Sequence, residues 1–136
     1  MMKYIYKVER CPLSALVSAP IPLPDGRSVW WEYFSEMEKI PIVGLAALSV
    51  KEDIKGGVKV IKTHLSATLR CSMSHFDEPA IYRITDTEAR TYLIGTNIPP
   101  YPVSTTETTI DALPSSSAIT RLLLEWTDIY PPLQII

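Results

Sequence analysis

The stretch AIYRITDTEARTYLIGT, residues 80–96, decides how the rest of the chain is read. Residues 81–85 and 90–95 are rich in Ile, Tyr, Thr and Leu, which suit a pleated, half-buried surface. Between them Asp86, Thr87, Glu88 and Ala89 make a connection of the length usual for a β-hairpin. An Asp at the head of such a connection bonds a backbone N–H two residues on. With alternating side chains, Tyr82 and Ile84 share one face of the first arm, and Tyr92 and Ile94 one face of the second. Pairing these faces gives cross-strand aromatic–aliphatic contacts. Ile81 and Leu93 are apolar on the opposite face, so the hairpin is expected to be covered on both sides. Gly95 marks a bulge or a close backbone approach. The turn has no Gly, so its type stays open.

Upstream of the hairpin, period-two alternation runs over residues 61–71. Ile61, Thr63, Leu65, Ala67, Leu69 and Cys71 alternate with Lys62, His64, Ser66, Thr68 and Arg70. This is a long strand, and the short loop after it predicts an antiparallel meander with the hairpin. Val58 and Val60 sit on the other parity, which predicts a bulge or a crossing at Val60-Ile61. Gly56-Gly57 is a turn signal. Before it, the continuous apolar run IVGLAALSV, residues 42–50, reads as a buried strand.

Farther out the patterns weaken. Residues 3–10 alternate with Tyr4, Tyr6 and Val8 on one side and Ile5 as the exception, and read as a first strand. Pro12, Pro20, Pro22 and Pro24 hold the next segment extended, and Asp25-Gly26 turns it. Residues 28–40, SVWWEYFSEMEKI, read as a short helix or helical turn, with Val29, Trp30, Tyr33, Met37 and Ile40 on one face and Ser28 as N-cap. An aromatic strand over residues 29–34 is the alternative. Residues 97–117 are Pro- and Thr-rich and read as edge strand or loop. Residues 119–127 return to strand, with Leu122, Leu124 and Trp126 on one face and Arg121 and Glu125 on the other. Residues 133–136 add a short final strand. The chain is thus expected to be a single mainly-β domain over residues 1–136, an antiparallel β-sandwich or small β-barrel with at most one short helix around residues 28–40.

Composition excludes several classes. A net charge of −2 and a pI near 5.7 argue against a general nucleic-acid binder, which needs a surplus of Lys and Arg. No stretch approaches the roughly 18 apolar residues that span a membrane as a helix. Lys3, Lys7 and Arg10 ahead of Val17-Ser18-Ala19 resemble a secretion leader, but Pro12 and Ser14 interrupt the apolar region. A cytoplasmic or virion-associated location is expected, with secretion as the lesser alternative. Cys11 and Cys71 are too few for a disulfide scaffold, and no C-x-x-C pair exists for zinc. Both read as small buried hydrophobes.

Motifs for chemistry are sparse. Nucleophile-elbow, P-loop, dinucleotide-binding and H-E-x-x-H patterns are absent, so no cofactor is called for. His64, His75, Asp77 and Glu78 carry the donor types of a divalent-metal site, without a fixed spacing, and read more simply as solvated polar residues. Trp30 and Trp31, beside Tyr33 and Phe34, and Tyr101 within the prolines at 99, 100 and 102, are candidate contact residues for a ligand or partner. The short β-rich chain with proline-rich connections resembles small assembly proteins such as phage head–tail or tail-completion components. The leading expectation is a non-enzymatic interaction or assembly protein with a protein partner or self-association. A small-molecule-binding β-barrel and a metal-dependent enzyme are the alternatives.

Overall fold

The computed structural model describes residues 2–16, 18–31, 37–70, 78–109 and 119–135. Among these, eleven strands build one open sheet. They are β1 (Met2–Pro12), β2 (Ile21–Pro22), β3 (Ser28–Trp30), β4 (Glu38–Lys39), β5 (Ile42–Lys55), β6 (Val58–Leu69), β7 (Ala80–Asp86), β8 (Thr91–Ile94), β9 (Val103–Thr109), β10 (Ile119–Asp128) and β11 (Leu133–Ile135). A 3-10 turn at Leu13–Ala15 is the sole helical element among the described residues. Side by side the strands run β2, β3, β11, β8, β7, β1, β5, β6, β10, β9, with β4 joined to β1 off this path. All neighbours are antiparallel except β3 and β11.

The mainly-β, sandwich-like expectation holds, while the barrel alternative does not, because the sheet is not closed: among the described residues its path ends at β2 and β9. The main core draws on both halves of the sheet. Leu48 of β5, Leu65 of β6 and Leu122, Leu124 and Trp126 of β10 cluster with Tyr82, Ile84 and Ile94 of β7 and β8. Ile5 and Val8 of β1 join the same cluster from the middle of the strand order. A second, smaller cluster lies on the other side of the β7–β8 half, where Cys11, Ile81, Leu93, Leu133, Val29 and Trp31 are buried together.

The β7–β8 hairpin is as read from the sequence. Tyr82 faces Ile94 and Ile84 faces Tyr92 across the ladder. These side chains enter the main core, while Ile81 and Leu93 enter the second cluster, so both faces are covered. Asp86 Oδ1 accepts the backbone N–H of Glu88 and of Arg90, each at 2.9 Å. Ala89 takes a positive φ of 65°, a position where glycine is the usual occupant. Gly95 is a close approach: a Cβ there would stand 2.6 Å from Pro102 Cγ.

Four local expectations are corrected. First, β6 and β7 are not neighbours. The flanks of β6 are taken by β5 and β10, and β7 pairs with β1, so no three-strand meander forms. Second, the expected helix around residues 28–40 is replaced at both ends by strand. Ser28–Trp30 pairs with β2 and β11, and Glu38–Lys39 pairs with β1; residues 32–36 lie outside the described residues. Burial of Val29 against the second cluster outweighs a weak helical pattern. Third, the Val60-Ile61 step is regular, with Val60 opposite Asp53 and Ile61 opposite Glu52. The change of pattern arises because this end of the β5–β6 hairpin runs past the core, leaving Ile54 and Val58 exposed. Its turn is Gly56-Gly57, both at positive φ, as a two-residue connection demands. Fourth, the apolar run at residues 42–50 is not a buried strand. Ala46 and Leu48 are buried, whereas Val43 and Leu45 face solvent.

Candidate functional site: a cleft between two bulged strands

Two irregularities sit side by side in the centre of the sheet. In β5 the register against β6 shifts between Val43 and Ala47, so Gly44, Leu45 and Ala46 stand opposite Ala67 alone. Gly44 takes φ 69°, which relieves the distortion because it has no Cβ. In β1 the register against β7 shifts between Ile5 and Lys7, and Tyr6 is the extra residue. The first part of β1 pairs with β5 as far as Ile5 opposite Ala46. Beyond the bulge β1 pairs with β4 instead, Glu9 opposite Lys39. β1 and β5 therefore part at this point. Bulges re-aim side chains and end pairing, and they recur beside functional sites.

The gap is a cleft of about 410 Å³ lined by Tyr6, Lys7, Lys39, Ile40, Pro41, Ile42, Gly44 and Arg70. Ile40 is fully buried and belongs to the main core, so one wall is rigid. Its N–H is held by Val8 O at 2.9 Å, and Arg70 N–H by Pro41 O at 2.9 Å. On the surface beside the cleft, Tyr4, Tyr6, Val43 and Leu45 are each 49–57% exposed. Large apolar side chains scattered singly are ordinary on a surface, but a contiguous set marks a contact site. The bulge in β1 explains why Tyr6 is outside. The sequence pattern places Tyr4, Tyr6 and Val8 on one face, and the extra residue sends Val8 inward with Ile5 while both tyrosines stay out.

The charges around the cleft are ordered by neighbouring strands. Glu9 lies opposite Arg83 in the β1–β7 ladder and accepts two bonds from it, Nε to Oε1 at 3.0 Å and Nη2 to Oε2 at 2.8 Å. Such bidentate pairs are among the stronger charge-assisted contacts. Lys7 Nζ is also 3.5 Å from Glu9 Oε1. Burial pushes the Glu9 carboxyl up, and Arg83 with Lys7 outweighs it, so the group sits below its ordinary range. At the other end of β1, Lys3 donates to Tyr92 Oη at 2.8 Å, stands 4.9 Å above the Tyr92 ring centroid and lies 3.4 Å from Asp86 Oδ2. The Tyr92 hydroxyl, with Asp86, holds the Lys3 amine above its ordinary value against the cost of burial. Burial raises Asp86, but the two backbone N–H groups and Lys3 hold it low.

The residues singled out from sequence are dispersed. Trp30 is 46% exposed, whereas Trp31 is only 3% exposed and donates its indole N–H to Ser18 O at 3.0 Å. Trp31 is therefore a core residue of the second cluster. Tyr101 is half-buried beside Pro102. His64 lies on the outer face of β6 opposite Glu125 of β10, with Nδ1 3.6 Å from Oε1 and both side chains exposed. Such a surface pair contributes little to stability. Glu78 lies near the far end of β1, where its carbonyl accepts Arg10 Nη2 at 2.8 Å and its carboxylate accepts Ser14 Oγ. His64 is opposite Ser49, which is opposite Met2, so His64 and Glu78 are separated by most of the length of β1. At about 3.3 Å per strand residue that is far beyond shared metal ligation. His75, Asp77 and Cys71 lie outside the described residues. Among the described residues no three His, Cys, Asp or Glu side chains form a metal-holding group.

None of the cleft residues was singled out from sequence. The signal available was Gly44, an isolated glycine inside an apolar strand pattern, which marks a bulge. Among the described residues no helix is long and apolar enough to cross a membrane. Compared with protein-family models, curated proteins and solved structures, the chain matches none.

Proposed function

We propose that this chain is a non-enzymatic β-rich interaction or assembly protein whose contact surface is the bulged outer face of β1 and β5. One observation carries the reading: Tyr4, Tyr6, Val43 and Leu45 are all exposed on the two strand segments that flank the cleft, whose lining includes the core residue Ile40. Exposed apolar side chains cost solvation free energy in a lone chain, and covering them with a partner recovers about 25 cal/mol per Å². Tyrosine at the centre of such a surface is a frequent anchor, because its ring buries area while its hydroxyl keeps a hydrogen bond.

The reading is tested by placing a photo-reactive phenylalanine analogue at Leu45 and, as control, at Glu107 on the exposed part of β9. The expected outcome is a discrete cross-linked species from Leu45, either a doubled chain or one partner, and none from Glu107. Light scattering then separates the two cases. A monomer by scattering together with no adduct at Leu45 overturns the reading.

A further inference from the structure

The cleft has a chemistry of its own. Among the described residues its lining includes three cations, Lys7, Lys39 and Arg70, and no carboxylate. The chain as a whole carries a net charge of −2, so this is a local excess and not a general property. Among the described residues, the acids beside these cations in the ladder and in sequence are committed elsewhere. Glu9 lies opposite Lys39 and near Lys7, but both of its oxygens are bonded by Arg83. Glu38, next to Lys39, leans toward Arg10 at 4.0 Å. Neither Lys39 nor Arg70 has a carboxylate within ion-pair distance among the described residues. Between the cations the surface is apolar, with Ile40, Pro41, Ile42 and the Tyr6 ring. Gly44 leaves the mouth open, since a Cβ there would meet nothing within 4 Å.

We infer that the cleft takes a short acidic segment of a partner protein, an apolar side chain seated against Ile40, Pro41, Ile42 and Tyr6 with carboxylates on either side meeting Lys7, Lys39 and Arg70. This rests on the interaction reading above and names the chemistry of its partner. A nucleic acid would match the cations but not the apolar surface of Pro41, Ile42 and Tyr6 between them, and the net negative charge of the chain opposes it. A carboxylate-bearing peptide matches both features. The register of β5 supports the same occupant, because among the described residues Gly44 and Leu45 lie in the bulge with no partner residue of their own in β6 or β1.

The test pans a random peptide library displayed on phage against the whole chain and against a Lys39→Glu/Arg70→Glu variant, both verified as folded by circular dichroism. The expected result is enrichment of peptides with two or more Asp or Glu beside a Leu, Ile or aromatic residue. A synthetic peptide from that set is expected to bind about tenfold more weakly to the variant, and to weaken with added salt, because the contacts are exposed charge pairs. Enrichment of neutral or basic peptides, or equal binding to the variant, overturns the inference. So does tighter binding of an oligothymidylate that is lost in the same variant. A neutral peptide captured at Leu45 would overturn this chemistry and leave the interaction reading standing, whereas a monomer by scattering with no adduct at Leu45 would remove that reading itself.

Discussion

Two hairpins of this protein, β7–β8 and β5–β6, have similar apolar content and opposite fates. In β7–β8 both faces are buried, Tyr82, Ile84 and Ile94 in the main core and Ile81 and Leu93 in the second cluster. In β5–β6 one face reaches the core only along the half away from the turn, the turn end projects with Ile54 and Val58 exposed, and Val43 and Leu45 stand out on the other face. The difference lies in what covers each. The segment from Leu13 through Trp31 lays Leu13, Leu16, Val29 and Trp31 over the outer face of β7 and β8. None of the described residues buries Val43 and Leu45 on the outer face of β5. A strand of apolar residues is buried only where a second element lies over it, and that depends on connections far away in sequence.

The comparison can be broken first by large-to-small substitution. Leu93→Ala or Ile84→Ala is expected to cost about 2–5 kcal/mol, since each side chain is fully buried. Leu45→Ala and Ile54→Ala are expected to stay within about 0.5 kcal/mol in the isolated chain. Urea unfolding of all four decides the matter, and equal losses in the two hairpins would mean that the outer face of β5 is covered in solution. Asp86→Ala comes next, at about 2–3 kcal/mol, because it strands two backbone donors and Lys3 at the head of the buried hairpin.

The pH dependence follows from the same residues. Asp86 and Glu9 both titrate lower in the folded chain than when unfolded. Their stabilisation is therefore fully present above the unfolded values, about 3.9 for Asp and 4.3 for Glu, and is lost as pH falls through the depressed folded values. Asp86→Asn is expected to flatten the acid limb of a melting-temperature profile, and an unchanged limb would show that other groups govern it. The smallest effect concerns the two turns. Ala89→Gly is expected to stabilise by up to about 1 kcal/mol by relieving a positive φ, whereas Gly56→Ala is expected to destabilise by a similar amount. Thermal melts should show the two shifts with opposite signs.

Much of the fold was legible because strands announce themselves locally. The alternation at residues 63–69, the Tyr and Ile faces of residues 80–96 and the Leu122, Leu124, Trp126 face of β10 all met their expected sides, while Cys71 lies outside the described residues. The Asp86 turn, the Gly56-Gly57 turn and the tight packing at Gly95 were likewise set by side-chain chemistry within a few residues. Residues 28–40 were misread because their pairing partners, β2, β11 and β1, lie elsewhere in the chain. The candidate site was hidden for the same reason. Lys7, Lys39, Ile40 and Arg70 form no motif, and they meet only because β1 leaves β5 at two bulges and takes β4 as its partner.

What the amino-acid sequence determined by itself is the alternation that makes strands, the turns that reverse them and the mainly-β class that follows. What the tertiary structure alone decided is strand order, which faces are covered, and where three lysine and arginine side chains gather around an apolar cleft. The physical reason is range. Backbone conformation and side-chain parity are fixed by neighbours within a few residues, whereas burial and charge juxtaposition depend on pairings between strands tens of residues apart, which the whole chain settles together.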